Sequence, residues 1–168
     1  MTTSRDSHSD SEGGSPLVRA PGTDLPDVGR YVSALYRHSQ RFLGPRLEPY
    51  GLGSGQYVFL RHLMDEDGLS QEQLSARLGV DKATTARAVA RLEGLDYVRR
   101  VCDECDRRVN RVFLTPRGEE MRPVLQAILA DWLGVMMEGL SPDEQREAFR
   151  LITTMTANAM RASIDPGP

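Results

Sequence analysis

The sequence predicts a mainly α fold with a small β wing: a winged helix-turn-helix framed by N- and C-terminal helices. Three observations carry this reading. Two short helical patterns meet at Gly79, with Ser70 placed to cap the first and Asp81 the second. Two β-rich runs, Tyr97 to Cys102 and Asn110 to Thr115, follow with a charged tip between them. Apolar residues at helical spacing then mark helices at both ends of the chain.

The first short helix begins at Ser70. Its hydroxyl suits the free N–H groups of a first turn, and Gln73 three residues on completes a capping-box pattern. Leu74, Ala76 and Leu78 supply small and apolar side chains. Gly79 tolerates the left-handed backbone that ends such a helix, Val80 plugs the turn, and Asp81 caps the next one.

The second helix runs from Lys82 to about Glu93. Thr85, Val89 and Leu92 form its core stripe, while Thr84, Arg87 and Arg91 share another face with Lys82 beside them. Alanines at 83, 86, 88 and 90 keep the rest slim, which suits entry into a groove. Lys82 is the chain's single lysine; every other basic side chain is arginine. Arginine can grip guanine with two bonds, and threonine reaches bases or phosphates. On an isolated helix the same pattern describes a solvated basic face. The neighbouring hairpin tips the balance toward DNA, because nine basic against five acidic residues between Lys82 and Arg117 leave a local +4 in a chain of net −3. Counterion release needs only such a local surface.

The stretch Val80 to Gly118 resembles the MarR family of winged-helix regulators. Its most specific part is the wing pattern D-x-x-D-R-R, here Asp103, Asp106, Arg107 and Arg108, followed by a strand ending Leu114-Thr115. The segment Ser54 to Leu63 is also similar to the family's helix before the reading head. The resemblance covers roughly Asp27 to Ile164. It implies a homodimer whose paired recognition helices face successive major grooves of a pseudo-palindrome. It also implies that Arg107 and Arg108 are the wing-tip cations, reaching the minor groove or flanking phosphates, with Asp106 orienting one of them. Ser70, Lys82, Thr84, Arg87 and Arg91 complete the expected DNA contacts. Where the family often carries a basic residue at the wing, this chain has Cys105.

At 168 residues, 39% hydrophobic and 27% charged, the chain suits one domain with a real core. No apolar run approaches membrane-spanning length and no hydrophobic signal core opens the chain, so the expected location is the cytoplasm with no membrane contact. Residues 1–26 are rich in Ser, Gly, Asp and Pro and are expected to be a disordered tail; residues 165–168 form a short C-terminal tail. The winged helix-turn-helix then occupies about 54–115, with dimerisation helices at about 27–50 and 116–164.

The first helix is expected from Asp27 to about Phe42, with Gly44-Pro45 and Pro49-Tyr50-Gly51 kinking or interrupting its end. Ser54 is placed to cap the next helix, and Asp65-Glu66-Asp67-Gly68 to close it as a turn. Thr115-Pro116 starts a long helix, and Ser141-Pro142-Asp143-Glu144 starts the last. The apolar stripe from Met121 to Met137 is wider than one small winged domain needs, which suits a dimer interface; the alternative is a monomeric core.

Two weaker signals remain. His38, Arg41, Tyr57 and Trp132, with His62 nearby, are candidates to line a ligand cavity, because the family commonly binds small aromatic or phenolic anions between the dimer helices and the reading head. Packing or surface roles suit each of these residues as well. Cys102 and Cys105 form a C-x-x-C pair, half a zinc site at best, with no second pair to complete it. A disulfide there would distort the wing, whereas two unreactive cysteines suit the reducing cytoplasm. Asp103, Glu104 and Asp106 make the site electronegative, which disfavours the reactive thiolate.

No nucleophile elbow, phosphate-cradling glycine loop or His-Glu metal helix is present, so neither an enzyme nor a resident metal or cofactor is expected. The expected partners are double-stranded DNA, a second copy of the chain and a small effector that releases a repressor. A thiol-based sensor and a protein-binding winged helix are the rival readings.

Overall fold

The computed structural model describes residues 22, 27–53, 55–103 and 109–164. The described residues fall into two compact units, the first ending at His38 and the second beginning at Ser39. In the first, the opening turns of helix α1 (Val28–Leu47) leave Val28, Val32, Leu35 and Tyr36 exposed.

The second unit holds the remainder of α1, a 3-10 turn (Glu48–Tyr50), α2 (Tyr57–Asp65), β1 (Leu69–Ser70), α3 (Gln71–Leu78), α4 (Lys82–Gly94), β2 (Val98–Cys102), β3 (Asn110–Leu114), α5 (Pro116–Met137) and α6 (Pro142–Ile164). The strands form an antiparallel sheet in the order β1-β3-β2. Its register sets Val98 opposite Leu114 and Cys102 opposite Asn110. The core lies where α2, α3 and α4 meet this sheet, with Leu60, Leu63, Leu74, Val89, Leu92 and Val112 at 0% exposure.

One expectation needs correction and one element was not foreseen. The first helix does not break at Gly44-Pro45 but continues through Pro45 to Leu47. An interior proline costs about 3 kcal/mol. Leu43 and Leu47, one turn apart on either side of it, are both fully buried and offset this at about 1.5–3 kcal/mol each. The interruption falls instead at Pro49, where the 3-10 turn ends on Gly51 at φ 70°. Second, the turn after α2 leads into a strand that local pattern does not reveal. Leu69 pairs with Val112, and the Gly68 N–H donates to the Val112 carbonyl at 3.1 Å. The expected Ser54 cap lies outside the described residues; α2 begins after Gln56, whose side chain accepts from the Gly53 N–H at 2.8 Å.

The long helix starts as its sequence suggests. Thr115 Oγ accepts from the Gly118 N–H at 3.1 Å, and Pro116 takes the first helical position. Gly118 is required by closeness: a Cβ there would lie 2.1 Å from the backbone oxygen of Tyr97. Arg122 then donates to the Met64 carbonyl at 2.6 Å, tying α5 to the end of α2. Ser141 and Glu144 form the capping box expected of α6, with the Ser141 N–H donating to Glu144 Oε2 at 2.7 Å and the Glu144 N–H to Ser141 Oγ at 3.4 Å. Among the described residues no single helix is long and apolar enough to cross a membrane.

Candidate nucleic-acid interface

The reading motif is built by short-range bonds. The Ser70 N–H donates to Gln73 Oε1 at 2.8 Å, and the Gln73 N–H returns to Ser70 Oγ at 3.1 Å. Gly79 ends α3 in the left-handed region at φ 63°, a conformation that costs glycine little. Two buried hydroxyls, Ser75 and Thr85, then bond at 2.8 Å and lock α3 to α4.

Asp81 caps α4 through the Thr84 N–H at 2.7 Å, and its second oxygen accepts from the Thr84 hydroxyl at 2.7 Å. That hydroxyl in turn accepts from Arg87 Nη2 at 3.0 Å. The Thr84 hydroxyl, followed by its backbone N–H, holds the Asp81 carboxyl below its ordinary value. Asp81, Thr84 and Arg87 therefore form a chain that orients the Arg87 guanidinium before any ligand arrives.

The face of α4 away from the core exposes Lys82, Arg87 and Arg91, as the helical spacing predicts, with Thr84 partly covered. Their charges are in different states. Among the described residues the Arg87 guanidinium bonds to a neutral hydroxyl, with the Asp81 charge acting on it through space, and the Arg91 guanidinium has no ion-pair or hydrogen-bond partner. Lys82 is engaged: its ammonium donates to Glu72 Oε1 at 2.8 Å, which raises the Lys82 pKa and lowers that of Glu72. Ser70 and Lys82 share a polar cleft of about 270 Å³ with Glu72, Ser75 and Asn110, so the first residues of both helices open toward the foot of the wing.

The wing strands hold several of the arginines counted in the local +4. Arg100 Nε donates to Glu93 at 2.9 Å and its backbone N–H to the same carboxylate at 3.2 Å, so Glu93 is held below, and Arg100 above, its ordinary pKa. Arg111 pairs with Asp103 and donates to the Gly68 carbonyl at 3.1 Å. Arg99 lies over the Phe113 ring at 5.2 Å. The hairpin closes at its base with the Asp103 N–H donating to the Val109 carbonyl at 2.9 Å. Asp106, Arg107, Arg108 and Cys105 lie outside the described residues. Cys102 is exposed at the end of β2.

The ligand candidates divide. Trp132 is half-buried against Phe42, ring centroids 5.1 Å apart, and Tyr57 is partly buried against the core. Arg41 is exposed, and His38, also exposed, belongs to the first unit. A cleft of about 410 Å³ between α2 and α5, lined by Arg61, Met64, Arg122 and Leu129 among others, includes none of the four.

Sequence reasoning passed over Glu72 and Asn110. The signal for Glu72 was available, since a tight turn between α3 and α4 brings the helices' first residues together across ten positions. Among the described residues no cluster of three or more His, Cys, Asp or Glu side chains is placed to hold a metal.

Residues 50–109 match the model of the MarR family. An HTH-type transcriptional regulator, BilQ of Clostridioides difficile (strain CD3), is 30% identical over 104 residues, covering 62% of this chain and 70% of that protein. The crystal structure of a MarR transcriptional regulator from Methanosarcina mazei Go1 is 41% identical, covers 80% of this chain and 96% of its own, and superposes with a TM-score of 0.77. The chain belongs to the MarR family. MarR-family proteins are transcriptional regulators rather than enzymes. A putative MarR family regulator from Listeria monocytogenes, solved with a 26mer DNA, shares the fold at a TM-score of 0.79 and 18% identity, covering 83% of this chain and 93% of its own.

Proposed function

We propose that this MarR-family regulator is a homodimer that binds a pseudo-palindromic DNA operator and represses transcription until a small, aromatic or phenolic ligand releases it. The observation that carries the reading is the state of α4. Among the described residues Arg87 is pre-oriented yet bonded to no carboxylate and the Arg91 guanidinium is unengaged, and both stand exposed on one face of a slim helix. Such groups are available to base edges and phosphates. Arg107 and Arg108 would contact DNA from the wing tip, oriented by Asp106.

Dimerisation is supported by the C-terminal helices. Leu133, Val135 and Met136 near the end of α5, and Phe149, Ile152 and Met155 on α6, are exposed apolar side chains. A dimer fits half-sites only near one helical turn apart, so a ligand that alters the spacing of the two reading heads would cost affinity.

Fluorescence anisotropy with the chain's own upstream DNA and a scrambled duplex, across a salt series, tests the reading. Tight binding with a large preference for the upstream duplex is expected. Weak, equal binding to both would refute regulation at that promoter.

A further inference from the structure

The first turns of α3 and α4 are tied by one ion pair on the exposed side of the motif. Lys82 Nζ meets Glu72 Oε1 at 2.8 Å while the two side chains remain 79% and 76% exposed. The pair forms a ridge between two depressions. On one side lies the polar cleft with Ser70 and Asn110; on the other lies an apolar groove of about 730 Å³ lined by Leu78, Val80 and Met160 among others.

An ion pair so wet adds little to stability. The two helices are already joined by the buried Ser75–Thr85 bond and by Leu74, Val89 and Leu92 in the core. Glu72 is nonetheless a negative charge at the start of the reading motif, satisfied by the one lysine of the chain. Lysine is a point charge on a flexible stem and can turn from a carboxylate to a phosphate. If it does, the abandoned carboxylate recaptures a cation from solution, and the counterion gain of the new phosphate contact is cancelled.

We propose that Glu72 is a damper on DNA affinity: it holds Lys82 in the free protein and offsets the phosphate contact that Lys82 makes in the complex. The inference rests on the DNA-binding reading above. The damping is independent of base sequence, so it weakens grip on every duplex alike and leaves preference to Arg87 and its neighbours. A regulator damped in this way leaves non-specific DNA sooner.

Four full-length proteins test this: the natural chain, Glu72→Gln, Lys82→Ala and the double variant. Each is titrated on the upstream and scrambled duplexes between 50 and 200 mM salt, a range taken from the ordinary behaviour of such complexes. Glu72→Gln is expected to tighten binding to both duplexes and to steepen the slope of log K against log salt by up to about 0.9. Across that range the added slope corresponds to roughly 3- to 4-fold more salt sensitivity. In the Lys82→Ala background the same substitution is expected to leave the slope unchanged.

An unchanged slope for Glu72→Gln overturns the proposal, as does weaker binding, which would make the pair a scaffold for α4. Equal tightening in both backgrounds also overturns it, since Glu72 would then act by direct repulsion of phosphate. These outcomes are separable from failure of the DNA-binding reading itself, in which the natural chain would bind neither duplex at any salt.

Discussion

The reading head and the last helix spend similar apolar material in opposite ways. In the head, Leu74, Val89, Leu92, Val98 and Val112 are at 0–1% exposure within one core. On α6 no described side chain is buried: Phe149 is 71% exposed, Ile152 55% and Met155 43%. Its polar residues pair along the helix, Arg146 with Asp143 and Arg150 with Glu147. Full burial of one such apolar side chain is worth about 1.5–3 kcal/mol. The head is thus satisfied by its own chain, whereas α6 carries unspent hydrophobic area, the condition that the proposed dimer would relieve.

The contrast can be broken from the head. Leu92→Ala should cost about 2–5 kcal/mol, read as a lower urea midpoint with unchanged m. A shift below about 1 kcal/mol would mean the head core is not what holds the unit together. From the other side, Phe149→Glu with Ile152→Glu should convert dimer to monomer in sedimentation equilibrium. The concentration dependence of melting should vanish with it. Persistence of the dimer would move the interface off α6.

Function gives a subtler separation. Arg87→Ala should cost about 1–3 kcal/mol of operator discrimination and leave the melting temperature unchanged. An equal loss on scrambled DNA would mark Arg87 as a phosphate contact instead. The smallest effect expected is electrostatic. Hydrogen bonds from Arg100 hold Glu93 below the ordinary glutamate value of about 4.3, so its contribution is complete above that pH and fades as pH falls through the lowered value. Both side chains are about a third exposed, which puts the contribution at the low end of about 0.2–1 kcal/mol. Glu93→Gln should therefore flatten the acid limb of the stability profile slightly; an unchanged limb would show the pair to be idle.

What the sequence revealed was local. The capping box at Ser70, the left-handed Gly79 and the Asp81 cap each depend on residues within one turn, and all were legible. The strand Leu69–Ser70 was not, because its partner Val112 lies more than forty residues away and two residues carry no periodicity. Pro45 read as a break because its local cost is plain in the sequence, while the burial of Leu43 and Leu47 that outweighs it is not. Formal charge misled in the same manner. Arg100, Arg111 and Lys82 all count toward the local +4, yet each is committed to a carboxylate, and only the fold distinguishes them from Arg87 and Arg91. The expected wing-tip residues, Asp106 to Arg108, still rest on motif match.

The seat of α5 has a mechanical consequence. With Gly118 pressed against the Tyr97 carbonyl and Arg122 bonded to the Met64 carbonyl, the helix is clamped at its beginning. Its 22 residues then extend about 33 Å at 1.5 Å per residue. Such a helix, continuous through Pro123, is a lever with its fulcrum in the reading head. A tilt of roughly 5° at the clamp displaces the far end by about 3 Å over that length. Movements too small to disturb a single core contact are thereby magnified into distances that would matter between the paired heads of the proposed dimer.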